Sequence, residues 1–156
     1  MRYKYLIEYA KKRNCKRFLE VGTHAGFSAL RMIEAGIAID GLSSNVHYYG
    51  FDLFEEMTPE IHKKEVSKTP PSMNTVQSKL LSTGANINLF KGNTLQTIPD
   101  FVTKNPGIKI DMIYIDGGHS LETIKSDLDN LLPLLNDDTI VIFDDWWTPK
   151  QSFGCN

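Results

Sequence analysis

Five short apolar runs alternate along this chain with segments of helical periodicity, and that alternation limits the fold more than any other feature. Residues 17–21, 47–53, 87–90, 109–116 and 139–143 read as strands. Helical patterns lie between them at 26–35, 74–83, 95–104 and 120–135, with another at 3–13 ahead of the first strand. Leu6, Ile7 and Ala10 set the period of the first helix, which Asn14 ends; Phe27, Leu30 and Ile33 share one side of the second, with Gly36 as its stop. Leu121, Ile124, Leu128, Leu131 and Leu135 make one stripe of the last, where Pro133 kinks or ends the final turn. The run 109–116 is apolar almost throughout, as suits a strand covered on both faces. Strand, helix and strand in close succession imply right-handed parallel crossovers. The expected fold is therefore α/β: a doubly wound, mostly parallel, Rossmann-like sheet with helices on both faces. A chain of 156 residues favours one domain over 1–156. The polar, proline-bearing stretch 55–73 is expected to be a loop or lid, and 148–156 a short tail.

Charge removes some function classes. The 17 Lys and Arg stand against 19 Asp and Glu, a net charge of -2, so there is no basic footprint for nucleic acid. No apolar run approaches the length of a membrane span, and the first residues are too charged for a signal peptide. Cys15 and Cys155 are far apart with no partner motif, which points to a reduced, cytoplasmic setting.

Ligands of open α/β sheets lie at the carboxyl ends of the strands. The first strand ends in Glu20-Val-Gly22-Thr23-His24-Ala-Gly26, whose glycines allow close approach of a ligand or form a plain strand-to-helix turn. This is not the G-x-G-x-x-G of a dinucleotide site. A carboxylate at Glu20 also disfavours a pyrophosphate, by about 4 kcal/mol at 4 Å and an effective dielectric near 20, and favours a cationic nucleoside instead. Asp52 ends the second strand, placed either to accept ribose hydroxyls or to cap a turn, and Asn93 offers an amide to an adenine edge. His24 is expected to face solvent.

The segments 18–28, 49–55, 89–93, Ile115-Asp-Gly-Gly-His119 and Ile142-Phe-Asp-Asp145 resemble class I S-adenosylmethionine-dependent methyltransferases, over about 17–147. Within them the macrocin O-methyltransferase-like group, with its metal-dependent sugar O-methyltransferases, is the nearest likeness. The resemblance implies S-adenosylmethionine as cofactor, with Glu20 and Gly22 by its methionine part and Asp52 by its ribose; Thr23, Gly26, Asn93 and Asp116 are the further candidate cofactor-binding residues. It also implies two further strands after the fifth, for which 148–156 is too short; the fifth strand is then an edge that a partner chain, such as a second copy, would cover, or the sequence is a shortened version whose activity is not assured.

Asp116 ends the fourth strand and Asp144-Asp145 the fifth, and neighbouring strands would bring these carboxylates to one rim. A divalent cation, magnesium above all, is the simplest relief of their repulsion; strand termination and helix capping are the alternative. His119, three residues past Asp116, suits a general base, as the resemblance also implies. The expected reaction is metal-assisted O-methylation of a sugar or another small polyhydroxylated acceptor. Trp146 and Trp147 stack on that acceptor or pack on the sheet. The alternatives are a non-catalytic module binding the cofactor or a partner and, less favoured, a nicotinamide-dependent oxidoreductase.

Overall fold

A computed structural model describes residues 3–65 and 68–144. Asp145, Trp146, Trp147, Cys155 and the tail 148–156 lie outside the described residues. The order of elements is α1 (Lys4–Lys12), β1 (Arg17–Val21), α2 (Phe27–Asp40), β2 (His47–Asp52), α3 (Pro59–Glu65), α4 (Met73–Leu81), β3 (Asn86–Lys91), α5 (Thr94–Lys104), β4 (Met112–Ile115), α6 (Leu121–Leu131) and β5 (Ile140–Phe143). The five strands form one parallel sheet in the order β3-β2-β1-β4-β5. Chain order reverses between β1 and β4, the point at which such sheets open a crevice.

Successive strand residues face opposite sides, and each side has its own core. Phe18, Tyr48, Met112 and Tyr114 pack under α1, α2 and α4, against Leu6, Ala29, Met32, Ile33 and Leu80. Leu19, Val21, Phe51, Ile113 and Ile115 face α5 and α6 through Ile98, Phe101 and Leu131. Phe51 stacks on Phe90 at 4.6 Å between ring centres, and Phe101 meets both edge-on. Among the described residues no helix is long and apolar enough to cross a membrane.

Four local expectations change. Helix α2 runs past Gly36 to Asp40 and stops at Gly41, whose φ of 75° places the cap in the left-handed region that glycine favours. Gly36 is interior because a Cβ there would come within 2.9 Å of the Phe18 ring, so its role is close packing on β1. Phe27 is 60% exposed rather than buried with Ile33; its ring lies under the Lys79 ammonium at 4.2 Å. The expected loop 55–73 contains α3, a helix with only one apolar residue. Thr58 Oγ1 accepts the Ile61 N–H and Pro59 occupies the first helical position, a start signal readable as Thr-Pro-Glu. Finally, Leu121 is 70% exposed while Asp127 is buried, so the packed face of α6 is rotated from the leucine stripe.

Candidate functional site

The carboxyl ends of β1, β2 and β4 are level, since Val21 pairs with Phe51 on one side and Ile115 on the other. Gly22, which follows β1, has φ 90°, and a Cβ there would overlap the Asp116 carbonyl. Glycine is therefore required here by the neighbouring β4 backbone, whatever ligand lies above. The Gly22 N–H donates to the Phe51 carbonyl (2.8 Å) and the Gly26 N–H to the Thr23 carbonyl (2.8 Å), closing the turn into α2. Asp52 ties this turn to its own strand: Oδ2 accepts the His24 N–H (2.6 Å) and Oδ1 the Phe54 N–H (3.0 Å). Each oxygen keeps a second lone pair for a ligand hydroxyl.

Glu20 is directed away from this crevice. It is fully buried on the α2 side of the sheet and accepts hydrogen bonds from the Ser28 and Tyr48 hydroxyls. Burial pushes its carboxyl up to about 8, against the pull of those two bonds. Burial thus disfavours the charge that made Glu20 an argument for a cationic ligand, and the side chain does not line the crevice. Glu20 instead supports Ser28 and, through the Tyr48 hydroxyl (3.2 Å), Thr23, both of which line the crevice.

At the other rim Ile115 pairs with Phe143, so Asp116 and Asp144 follow level strand ends. The buried Tyr114 hydroxyl reaches Asp116 Oδ2 (3.4 Å) and also bonds Asp144. Burial first, then the charges of Asp116 and Asp144, raise its pKa and keep the phenol protonated. A proton donor from within the fold therefore offsets part of the repulsion that the sequence assigns to a cation. Among the described residues no three His, Cys, Asp or Glu side chains group to hold a metal, and Asp145 lies outside them.

Between the rims is a crevice of about 280 Å³, near the lower end for small-molecule sites. Gly22, Thr23, Asp52, Asn93, Asp116 and His119 all line it. Glu20, Gly26 and Asp144 do not; Gly26 caps α2, where a Cβ would press on Val76 and Leu80. The Asn93 oxygen accepts the Leu95 N–H (2.9 Å) as the cap of α5, leaving its NH₂ group as the donor for a ligand. His24 lines the crevice too, contrary to the solvent-facing expectation, with Nε2 buried and unbonded among the described residues. The residues missed from sequence are Glu65, Ile61 and Lys64 of α3, which wall the mouth, and they were missed because α3 was read as a loop.

A family model described as a methyltransferase domain matches residues 19–146. The chain is similar in structure to the calicheamicin methyltransferase CalS11, with a TM-score of 0.70 and 18% identity over 96% of this chain and 64% of that one. It is similar also to the O-methyltransferase TomG from Streptomyces achromogenes, involved in tomaymycin synthesis and solved with S-adenosylmethionine (TM-score 0.68, 20% identity, 92% of this chain and 55% of that one). A curated relative, the uncharacterized protein y4gI of Sinorhizobium fredii (strain NBRC 101917 / NGR234), is 23% identical over 150 residues, 89% of this chain and 14% of that protein. The chain thus spans less than two thirds of each of these proteins.

Proposed function

The chain belongs to the methyltransferase-domain family, and from that premise we propose that it uses S-adenosylmethionine to methylate a hydroxyl of a small polyhydroxylated acceptor. The observation that carries this reading is one crevice with a nucleoside-type half and an acid–base half. Asp52, Asn93 and residues 22–25 of the turn line the first, while Asp116 and His119 line the second. Hydroxyl-accepting Asp52, donor Asn93 and the apolar Phe51, Leu53 and Leu95 suit an adenosine, and the buried, unbonded His24 Nε2 offers a further polar contact. Bound there, the cofactor supplies an electrophilic methyl group.

The chain's own residues do the rest. Asp52 orients the ribose, and the Glu20–Tyr48–Thr23 network keeps the turn rigid beneath it. His119, past the end of β4, takes the acceptor hydroxyl proton on an imidazole nitrogen as the oxygen attacks. Holding the two reactants together is worth up to about 7–11 kcal/mol of barrier in favourable systems. Sugars lead the acceptor panel, because CalS11 is described as a TDP-rhamnose 3'-O-methyltransferase. Magnesium held by Asp116, Asp144 and Asp145 belongs to the same proposal, though no step above passes through it. A second copy of the chain along β5, an edge of the sheet among the described residues, is a further part of it.

Calorimetry with S-adenosylhomocysteine tests the core of the reading. Saturable binding, weakened about tenfold or more by Asp52→Ala, is expected; no binding by the wild type at millimolar ligand refutes it. Methyl transfer to sugars with and without EDTA then reads the acceptor and the metal, and light scattering the second copy. Cofactor binding without transfer to any hydroxylated acceptor would leave the non-catalytic module.

A further inference from the structure

Glu65 closes α3, a helix of otherwise solvated charges, yet it is only 8% exposed. It reaches a segment 55 residues further along the chain. Oε2 accepts the Ser120 backbone N–H at 2.9 Å, and Oε1 accepts the Ser120 hydroxyl at 3.0 Å. The Thr123 hydroxyl, 58 residues on, donates to Oε1 at 3.0 Å as well. Ser120 is itself the cap of α6, its Oγ accepting the Thr123 N–H at 3.3 Å, so one carboxylate serves both the cap and the first turn it caps. Next to it, a Cβ at Gly118 would lie 2.5 Å from Glu65 Oε2, which gives a physical reason for glycine in Asp116-Gly117-Gly118-His119. Outside these bonds, Lys64 pairs with Glu122 at 3.1 Å, a weak exposed pair that joins the same two helices.

Both connected pieces line the crevice, α3 through Ile61 and Lys64, and the 116–123 segment through Asp116, His119 and Thr123. We propose that Glu65 is a latch: a positioning residue that holds the α3 wall of the crevice against the start of α6 and, through its bonds to Ser120, sets the neighbouring His119. Glu65 acts through its neighbours and is not a catalytic residue. The latch matches an ionised carboxylate, which has only acceptors to offer three donors. Burial alone would raise its pKa, but the bonds from Ser120 and Thr123 and the Lys64 charge outweigh that and lower it. The consequence for the crevice rests on the methyltransferase reading; the latch itself does not.

Hydrogen exchange on the full chain, with S-adenosylhomocysteine release as a second readout, tests both parts. Glu65→Ala is expected to speed exchange at 59–64 and 118–123 by about tenfold or more while β1 and β2 change by less than about twofold. Ligand release should quicken by about tenfold in the same variant. Glu65→Gln keeps an acceptor for the Ser120 N–H and can turn its NH₂ toward a hydroxyl oxygen, so it should restore both readouts to within about threefold of wild type. Exchange unchanged at 118–123, exchange raised uniformly through β1 and β2, no rescue by Gln, or unchanged ligand release would each overturn the proposal. Should Glu65→Ala not fold, Thr123→Val and the wild type decide. Thr123→Val should raise exchange in those two segments alone, and a wild-type Ser120 amide exchanging as fast as a free loop amide refutes the latch. Failure of the wild type to bind S-adenosylhomocysteine would sink the methyltransferase reading and leave the exchange result standing.

Discussion

The two banks of the crevice carry similar numbers of carboxyl groups and treat them in opposite ways. On the β1–β2 bank each acid is tied down from within by two donors, Glu20 by the Ser28 and Tyr48 hydroxyls and Asp52 by two backbone N–H groups that leave it lone pairs for a ligand. On the β4–β5 bank Asp116 and Asp144 share one phenol, Tyr114. An acid so held is a fixed structural part, whose geometry is set before any ligand arrives. Two acids at level strand ends hold negative potential at that rim, which the Tyr114 proton partly offsets. On the methyltransferase reading, the first bank holds a shape and the second acts on one.

That division can be broken experimentally. His119→Ala, on the acting bank, should lower methyl transfer to any acceptor the wild type accepts by about 10²–10⁴-fold, with S-adenosylhomocysteine affinity nearly unchanged. Parallel kinetics and calorimetry read this, and an equal fall in affinity would erase the distinction between banks. Gly22→Ala, on the holding bank, meets the Asp116 carbonyl at a positive φ. It should cost about 2–4 kcal/mol of stability, measured by urea unfolding, because overlap and strain add.

Buried acids outside the second bank sharpen the contrast further. Asp127 of α6 is 1% exposed, and among the described residues neither of its oxygens has a hydrogen bond of good geometry, the weak approach of the Thr94 hydroxyl included. Burial pushes its carboxyl up to about 6, with the Thr94 hydroxyl pulling it back and the Glu65 charge adding to the rise. A raised acid favours the native state while protonated, so this contribution is whole below the unfolded value near 4 and lost as pH climbs through 6. Asp127→Asn should therefore stabilise the protein by about 1–3 kcal/mol at pH 8 and by little at pH 4, read as the pH dependence of unfolding. Glu20, raised to about 8, shows the same sign over a higher window. Stability should fall from the unfolded value near 4.5 through 8, and Glu20→Gln should flatten that slope. The smallest effect belongs to Tyr114→Phe, about 0.5–1.5 kcal/mol, from losing one shared hydrogen bond. It should leave cofactor-product affinity intact, whereas a large loss of affinity would join the banks into one unit.

The strands and most helices were legible because their signals are local. The residues of β1 are those expected, and β2 and β3 differ by one or two at their ends, since apolar runs between turn residues need no distant information. Helix α3 was read as a loop, because beyond its short Thr-Pro-Glu start it has no apolar face, and the bonds of Glu65 reach residues 55 and more away. Gly36 misled for a related reason: glycine within a helix marks a close neighbour as readily as an end, and here the neighbour is Phe18. Of the residues singled out by their position near strand ends, Gly22, Thr23, Asp52, Asn93, Asp116 and His119 line the crevice. Glu20 was placed at the right strand end, yet its side chain has the opposite direction, and burial disfavours its charge.

By itself the amino-acid order determined an α/β sheet with its functional groups at the carboxyl rim, because periodicity and strand-end placement are properties of short segments. Only the tertiary structure decided which carboxyls are charged, which glycines are forced by a neighbouring backbone, and what closes the crevice mouth. Those depend on desolvation and on contacts between residues tens of positions apart, to which local pattern is blind.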